Sequence, residues 1–121
     1  MNLQACYAAL GGNYDDVIGR LRTERLVRKF VLKFLDDPSY STLCSSLEAK
    51  DYDEAFRAAH TIKGVCQNLS FTKLYHSSHQ LTEALRNGWS PEVEGLFSQV
   101  TADYQQTADA IRAFQSEAEG Q

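Results

Sequence analysis

No stretch of this 121-residue chain approaches the ~18 consecutive apolar positions that a bilayer-spanning helix requires. The N-terminal stretch MNLQACYAAL has neither the basic start nor the long apolar run of a secretion signal, so a soluble, cytoplasmic protein without membrane contact is expected. Basic excess is missing too. A net charge of -4 and an isoelectric point near 5.3 argue against general affinity for DNA, RNA or anionic lipid, which needs a clustered positive surface. Cysteine is scarce and odd in number: Cys6, Cys44 and Cys66 lie at scattered spacings, so free thiols in a reducing compartment are expected in place of a disulfide framework. Strand-like alternation, internal repeats and low-complexity segments are absent. The length and a hydrophobic content of 43% suit one domain with a single core.

Helical periodicity fills the chain. A short segment from Asn2 to Leu10, capped by Asn2, ends at Gly11-Gly12, and a second runs from Tyr14 to Leu21 after Asn13, with Asp15 and Asp16 at the positive end of its dipole. Thr23 then caps Glu24–Leu35, whose Leu26, Val27, Phe30, Val31 and Phe34 repeat at helical spacing, and Asp36-Asp37-Pro38 breaks it. A helix from Ser39 or Tyr40 to Ala49 carries a narrow apolar stripe of Leu43, Cys44 and Leu47. The central helix spans Asp51–Ser70. After a compact break in which Ser70 or Thr72 is available as a cap, Leu74, Tyr75, Ser78, Leu81 and Leu85 form the next apolar face, down to Asn87-Gly88. Ser90-Pro91 signals a last helix from Pro91 to about Glu117, with Val93, Leu96, Phe97, Val100, Tyr104, Ile111 and Phe114 on one side. The expectation is an all-α, antiparallel four-helix bundle in one domain, 1–121, with short accessory N-terminal helices in 1–22 and the bundle in 23–118.

Chemistry concentrates in the central helix, DYDEAFRAAHTIKGVCQNLS. At ~100° per residue, Ala55, Ala59, Ile62, Cys66 and Leu69 gather in a sector about 200° from His60, so His60 points away from the core. Lys63, Gly64 and Gln67 lie within roughly 60° of its direction. A lone histidine on a helix is ordinarily a solvated surface residue, and cations beside it ordinarily solvated charges. The neighbours change that reading. Gly64 costs a helix interior about 0.5–1 kcal/mol relative to Ala, which close approach of another molecule would explain. Phe56, one turn before His60, is an aromatic on the outward face and suggests a docking surface. Arg57 adds a second cation roughly 60° to the other side.

The run AAHTIKGVCQNL, with His60-Thr61-Ile62-Lys63-Gly64, resembles the HxxKG signature of histidine-containing phosphotransfer (HPt) domains, and length and helix pattern extend the likeness over nearly the whole chain. Members of that family are small four-helix bundles whose surface histidine takes a phosphoryl group from a receiver-domain aspartate and passes it to another. The resemblance implies His60 as phosphoacceptor, Lys63 as phosphate neighbour and Gly64 as the gap for the receiver, with Phe56 and Arg57 beside it for docking. The sequence departs from the family pattern at Gln67, where many members carry a small residue, and at Ser70, where many carry Gly. Gln67 either hydrogen-bonds the phosphoryl oxygens or narrows the receiver's path. A histidine with the ordinary pKa near ~6.5 is mostly neutral at pH 7 and attacks without a dedicated base. The group carries about -2 of charge, which Lys63 and Arg57 would partly offset. The resemblance further implies a carrier with no turnover, no cofactor of its own and Mg²⁺ in the partner. Expected partners are receiver domains of response regulators or hybrid histidine kinases, met by a monomer.

Two other readings compete. His76 and His79, three apart on one helix, would join Cys66 or His60 in a metal site, though no paired acidic or Cys motif accompanies them. Alternatively the bundle serves as a phosphotransfer-silent interaction module, a reading that loss of His60 or Lys63 would have signalled; both are present.

Overall fold

In the computed structural model, which describes residues 1–119, seven helices follow one another: α1 Leu3–Leu10, α2 Tyr14–Leu21, α3 Glu24–Phe34, α4 Ser39–Glu48, α5 Tyr52–Leu69, α6 Thr72–Leu85 and α7 Val93–Glu119. Residues 120–121 of the expected domain lie outside the described residues. Among the described residues there is no strand, and no helix is long and apolar enough to cross a membrane. Four starts follow the capping chemistry written in the sequence. Asn2, Asn13, Thr23 and Asp51 each accept a hydrogen bond from the amide three residues on, satisfying a donor that the first helical turn leaves free.

Helices α5 and α6 pack as an antiparallel hairpin, α7 returns along α6, and α4 lies against α5. The remaining corner is shared by two helices. Arg28 of α3 stacks its guanidinium over Phe114, Phe34 meets Tyr104, Tyr40 of α4 stacks on Tyr104 at 4.0 Å, and its hydroxyl meets Thr101 at 3.0 Å. The contacts climb α7 backwards as the chain advances. Thus α3 and α4 form one interrupted rod antiparallel to α7, broken at Asp36-Asp37-Pro38, where Asp37 accepts from the Ser39 amide. Inside lie Val27, Val31, Leu43, Leu74, Leu81, Leu85, Val100 and Ile111, all fully buried.

The two N-terminal helices do more than lie across the bundle. Helix α1 packs on α7. The chain from Tyr7 to Arg20 meanwhile closes the end of the bundle where α5 turns into α6. A helix leaves its last carbonyls without intrahelical donors. Here the Asn68 carbonyl accepts from Arg20 at 3.0 Å, Leu69 from the Tyr7 hydroxyl at 2.8 Å, and Ser70 from the Asn13 amide at 2.9 Å. In the other direction the Lys73 amide, at the start of α6, donates to Gly11 at 3.0 Å. So close a fit requires glycine: a Cβ on Gly12 would stand 2.8 Å from the Ser70 carbonyl oxygen and as near to Leu10 and Tyr7. Tyr7 and Phe71 fill the space beneath, their ring centres 5.7 Å apart.

Three local expectations give way. Neither Ser70 nor Thr72 caps α6: Phe71 holds the cap position without a side-chain bond, because Gly11 supplies the partner from outside. Ser70 instead ends α5 in the left-handed conformation, φ 57°, and its buried hydroxyl donates to Asp16 and accepts from Arg20. Pro91 does not open the last helix. Residues 91–92 form a turn in which the Ser90 carbonyl receives the Val93 amide, so α7 begins at Val93. Leu26 is 40% exposed, because α3 buries only the Val27, Val31 and Phe34 edge.

Replacing Tyr7 by Phe leaves the Leu69 carbonyl buried without its donor and should lower unfolding stability by about 1–3 kcal/mol, read from urea denaturation. Ser70 first, and then Arg20, hold the Asp16 carboxyl below its ordinary range. With the folded value below the unfolded one, this contribution is present above the unfolded pKa of ~3.9 and disappears as the pH falls through the folded value. Asp16→Asn should therefore flatten the acid limb of stability against pH below about 4 while leaving its shape at neutral pH.

Candidate functional site

Helix α5 starts with Asp51 as cap and Asp53 and Glu54 in its first turn, charges that suit the positive end of the dipole. Its inward stripe is Ala55, Ala58, Ala59, Ile62, Cys66 and Leu69, all buried. Three alanines in the first half let α4 and α6 approach closely on either side, and this clasp sets the rotation of the helix. The opposite face is therefore outward: His60, Thr61, Gly64, Gln67 and Asn68 are exposed. Lys63 is half-buried at the margin toward α6. A Cβ built on Gly64 meets nothing within 4 Å, so the surface beside His60 is unobstructed by the chain's own residues.

Of the two remaining residues singled out from the sequence, Arg57 is exposed and ion-paired with Glu54 at 2.8 Å, which raises its guanidinium pKa further. Phe56 is not the free aromatic expected. It is half-buried and packs against the core cluster, and two side chains lie against its ring. One is His60, with ring centres 6.1 Å apart and planes 19° from parallel. The other is the guanidinium of Arg86, at the C-terminal end of α6, 5.4 Å from the Phe56 ring centre.

Glu83 of α6 and Arg86, which caps the C-terminal end of α6, were not among the candidates from the sequence. Glu83 accepts from Arg86 at 3.0 and 2.8 Å. Arg86, chiefly through these bonds, lowers the Glu83 carboxyl pKa. The signal available was indirect: Leu74, Leu81 and Leu85 fix the buried face of α6, which leaves Glu83 and Arg86, three apart, on its outer flank.

The set His76, His79, Cys66 and His60 does not come together. Cys66 is fully buried and burial pushes its thiol well above the ordinary value, whereas His60 and His76 stand in solvent. His79 stacks on Tyr75 with ring centres 6.0 Å apart, its Nδ1 buried without a hydrogen-bond partner. Among the described residues no three His, Cys, Asp or Glu side chains are grouped to hold a metal ion. Burial also raises the Cys6 thiol to about 11, so neither inner cysteine offers a thiolate at neutral pH.

The family model of the Hpt domain matches residues 37–112, from the break before α4 to the second half of α7. It leaves α1, α2 and α3 outside. No curated protein and no solved structure matches the chain.

Because Gly64 is exposed in a helix interior with open space around it, Gly64→Ala should raise unfolding stability by about 0.5–1 kcal/mol. A urea midpoint at or below that of the unaltered chain would show that the absence of a Cβ at this position serves the chain's own packing.

Proposed function

As the chain belongs to the Hpt domain family, whose domains take part in histidine phosphotransfer in two-component signalling, we propose that His60 carries the phosphoryl group in a multistep phosphorelay. One observation supports this most strongly: His60, Thr61 and Gly64 lie on the outward side of α5 with Lys63 at its margin, the imidazole exposed and the space over Gly64 open. In the proposed step a ring nitrogen lone pair of His60 forms an N–P bond with the phosphoryl group of a receiver aspartate. The P–O bond to the aspartate breaks, and the electron pair leaves with the carboxylate. Onward transfer reverses these bond changes on a second receiver.

Transfer of this kind depends on positioning and charge more than on covalent machinery in the acceptor's host. Lys63 would face the incoming charge from the α6 side, and Gln67, exposed one turn on from Lys63, would either hydrogen-bond the phosphoryl oxygens or narrow the receiver's path. Gly64, Arg57 and the uncovered edge of Phe56 form the receiver's docking ground. The partner supplies Mg²⁺ with its own acidic cluster, which neutralises phosphate charge during transfer; this chain contributes no cofactor and no turnover. Residues 1–121 act as one unit and as a monomer.

A panel of receiver domains charged with acetyl phosphate and Mg²⁺ tests the reading. At least one should label the chain with an acid-labile, alkali-stable phosphoryl group, and His60→Gln should abolish the label. An acid-stable label would place the acceptor on another residue type, and no label from any receiver would favour a phosphotransfer-silent interaction module. Gly64→Gln, which fills the open space, should cut transfer at least tenfold with helicity intact, a loss of about 1.4 kcal/mol or more in transition-state stabilisation.

A further inference from the structure

Exposed histidines sample several rotamers, and an in-line displacement at phosphorus tolerates few of them. Beside His60 a chain of contacts runs through Phe56, Arg86 and Glu83. The Phe56 ring sits one helical turn before His60, nearly parallel to the imidazole at 19°, and is anchored by packing against the core. Against Phe56 lies the Arg86 guanidinium, 5.4 Å from the ring centre. Two bonds from Arg86 to Glu83, at 3.0 and 2.8 Å, fix the plane of that guanidinium. Imidazole and phenyl come from α5; the carboxylate comes from the last turn of α6 and the cation from the residue that caps it.

We propose that Glu83, Arg86 and Phe56 are positioning residues: Glu83 holds the guanidinium over Phe56, and Phe56 restricts the His60 ring so that one orientation of its nitrogens faces the receiver. The proposal rests on His60 being the phosphoacceptor. It assigns Phe56 a role in the rate of transfer in addition to any in docking. The planar fork of Arg matters here, since it stacks on an aromatic face and meets a carboxylate through two N–H groups at once, which the ammonium of Lys does not do.

The test uses the full chain, the receiver domain that labels it best, acetyl phosphate and Mg²⁺, with the variants Arg86→Met, Arg86→Lys and Phe56→Leu. Each should slow labelling at saturating receiver by about three- to tenfold, the scale of a lost stacking contact, with helicity unchanged; the half-saturating receiver concentration should stay the same in the two Arg86 variants and rise in Phe56→Leu, which also loses a docking contact. In each, the His60 ring-proton resonances should lose part of the displacement that the Phe56 ring current imposes. Arg86→Lys transferring at the unaltered rate would overturn the proposal, leaving only a charge effect. So would a defect confined to the half-saturating concentration, which is the signature of docking, or His60 resonances unmoved in Arg86→Met. If the unaltered chain takes no label, the acceptor reading has failed, and the resonances alone decide whether the stack orders the ring.

Discussion

The rotation of α5 about its own axis governs the rest. Six small or apolar side chains, from Ala55 to Leu69, are sealed between α4 and α6, and helical geometry then turns His60 outward. A rotation that brought His60 inward would bury an imidazole and expose Ile62 and Cys66, with desolvation and lost apolar burial acting together against it. The same clasp sets Lys63 at the margin toward α6 and leaves the flank beside Gly64 empty. Orientation of the reactive ring is therefore a packing result before it is an electrostatic one.

The far end of α5 is secured differently. Its last turn finds hydrogen-bond donors in Tyr7, Asn13 and Arg20, residues that stand outside the part of the chain matched by the family model. Two short helices, each weak by itself, thereby stabilise the turn that joins the site helix to α6. Since α6 carries Glu83 and is capped by Arg86, the capped turn also holds the two flanks of the site in register.

Much of this was legible from residues alone. Asn2, Asn13, Thr23 and Asp51 cap where cap residues should, since that chemistry is local, and the stripe through Ala55, Ile62 and Cys66 reported the buried face of α5 correctly. What escaped was contact between segments far apart in sequence. Ser70 reads as an N-cap, but its hydroxyl is taken by Asp16 and Arg20 across the fold. Phe56 reads as an open aromatic, yet a residue 30 positions later covers it. Periodicity records which face of a helix is apolar; it does not record which side chain of a neighbouring helix settles on the polar one.

The interruption at Asp36-Asp37-Pro38 has an architectural corollary. It divides one corner of the bundle into an upstream rod that meets Phe114 and Tyr104 and a downstream rod that meets Thr101, and the family match begins at residue 37, on the same seam. Below the seam lies the platform that bears His60; above it lies a brace. The two parts still share one core, since Val27, Val31 and Phe34 of the brace pack in the same cluster as the inward stripe of α5, so a chimera spliced at this seam would have to keep those three apolar side chains.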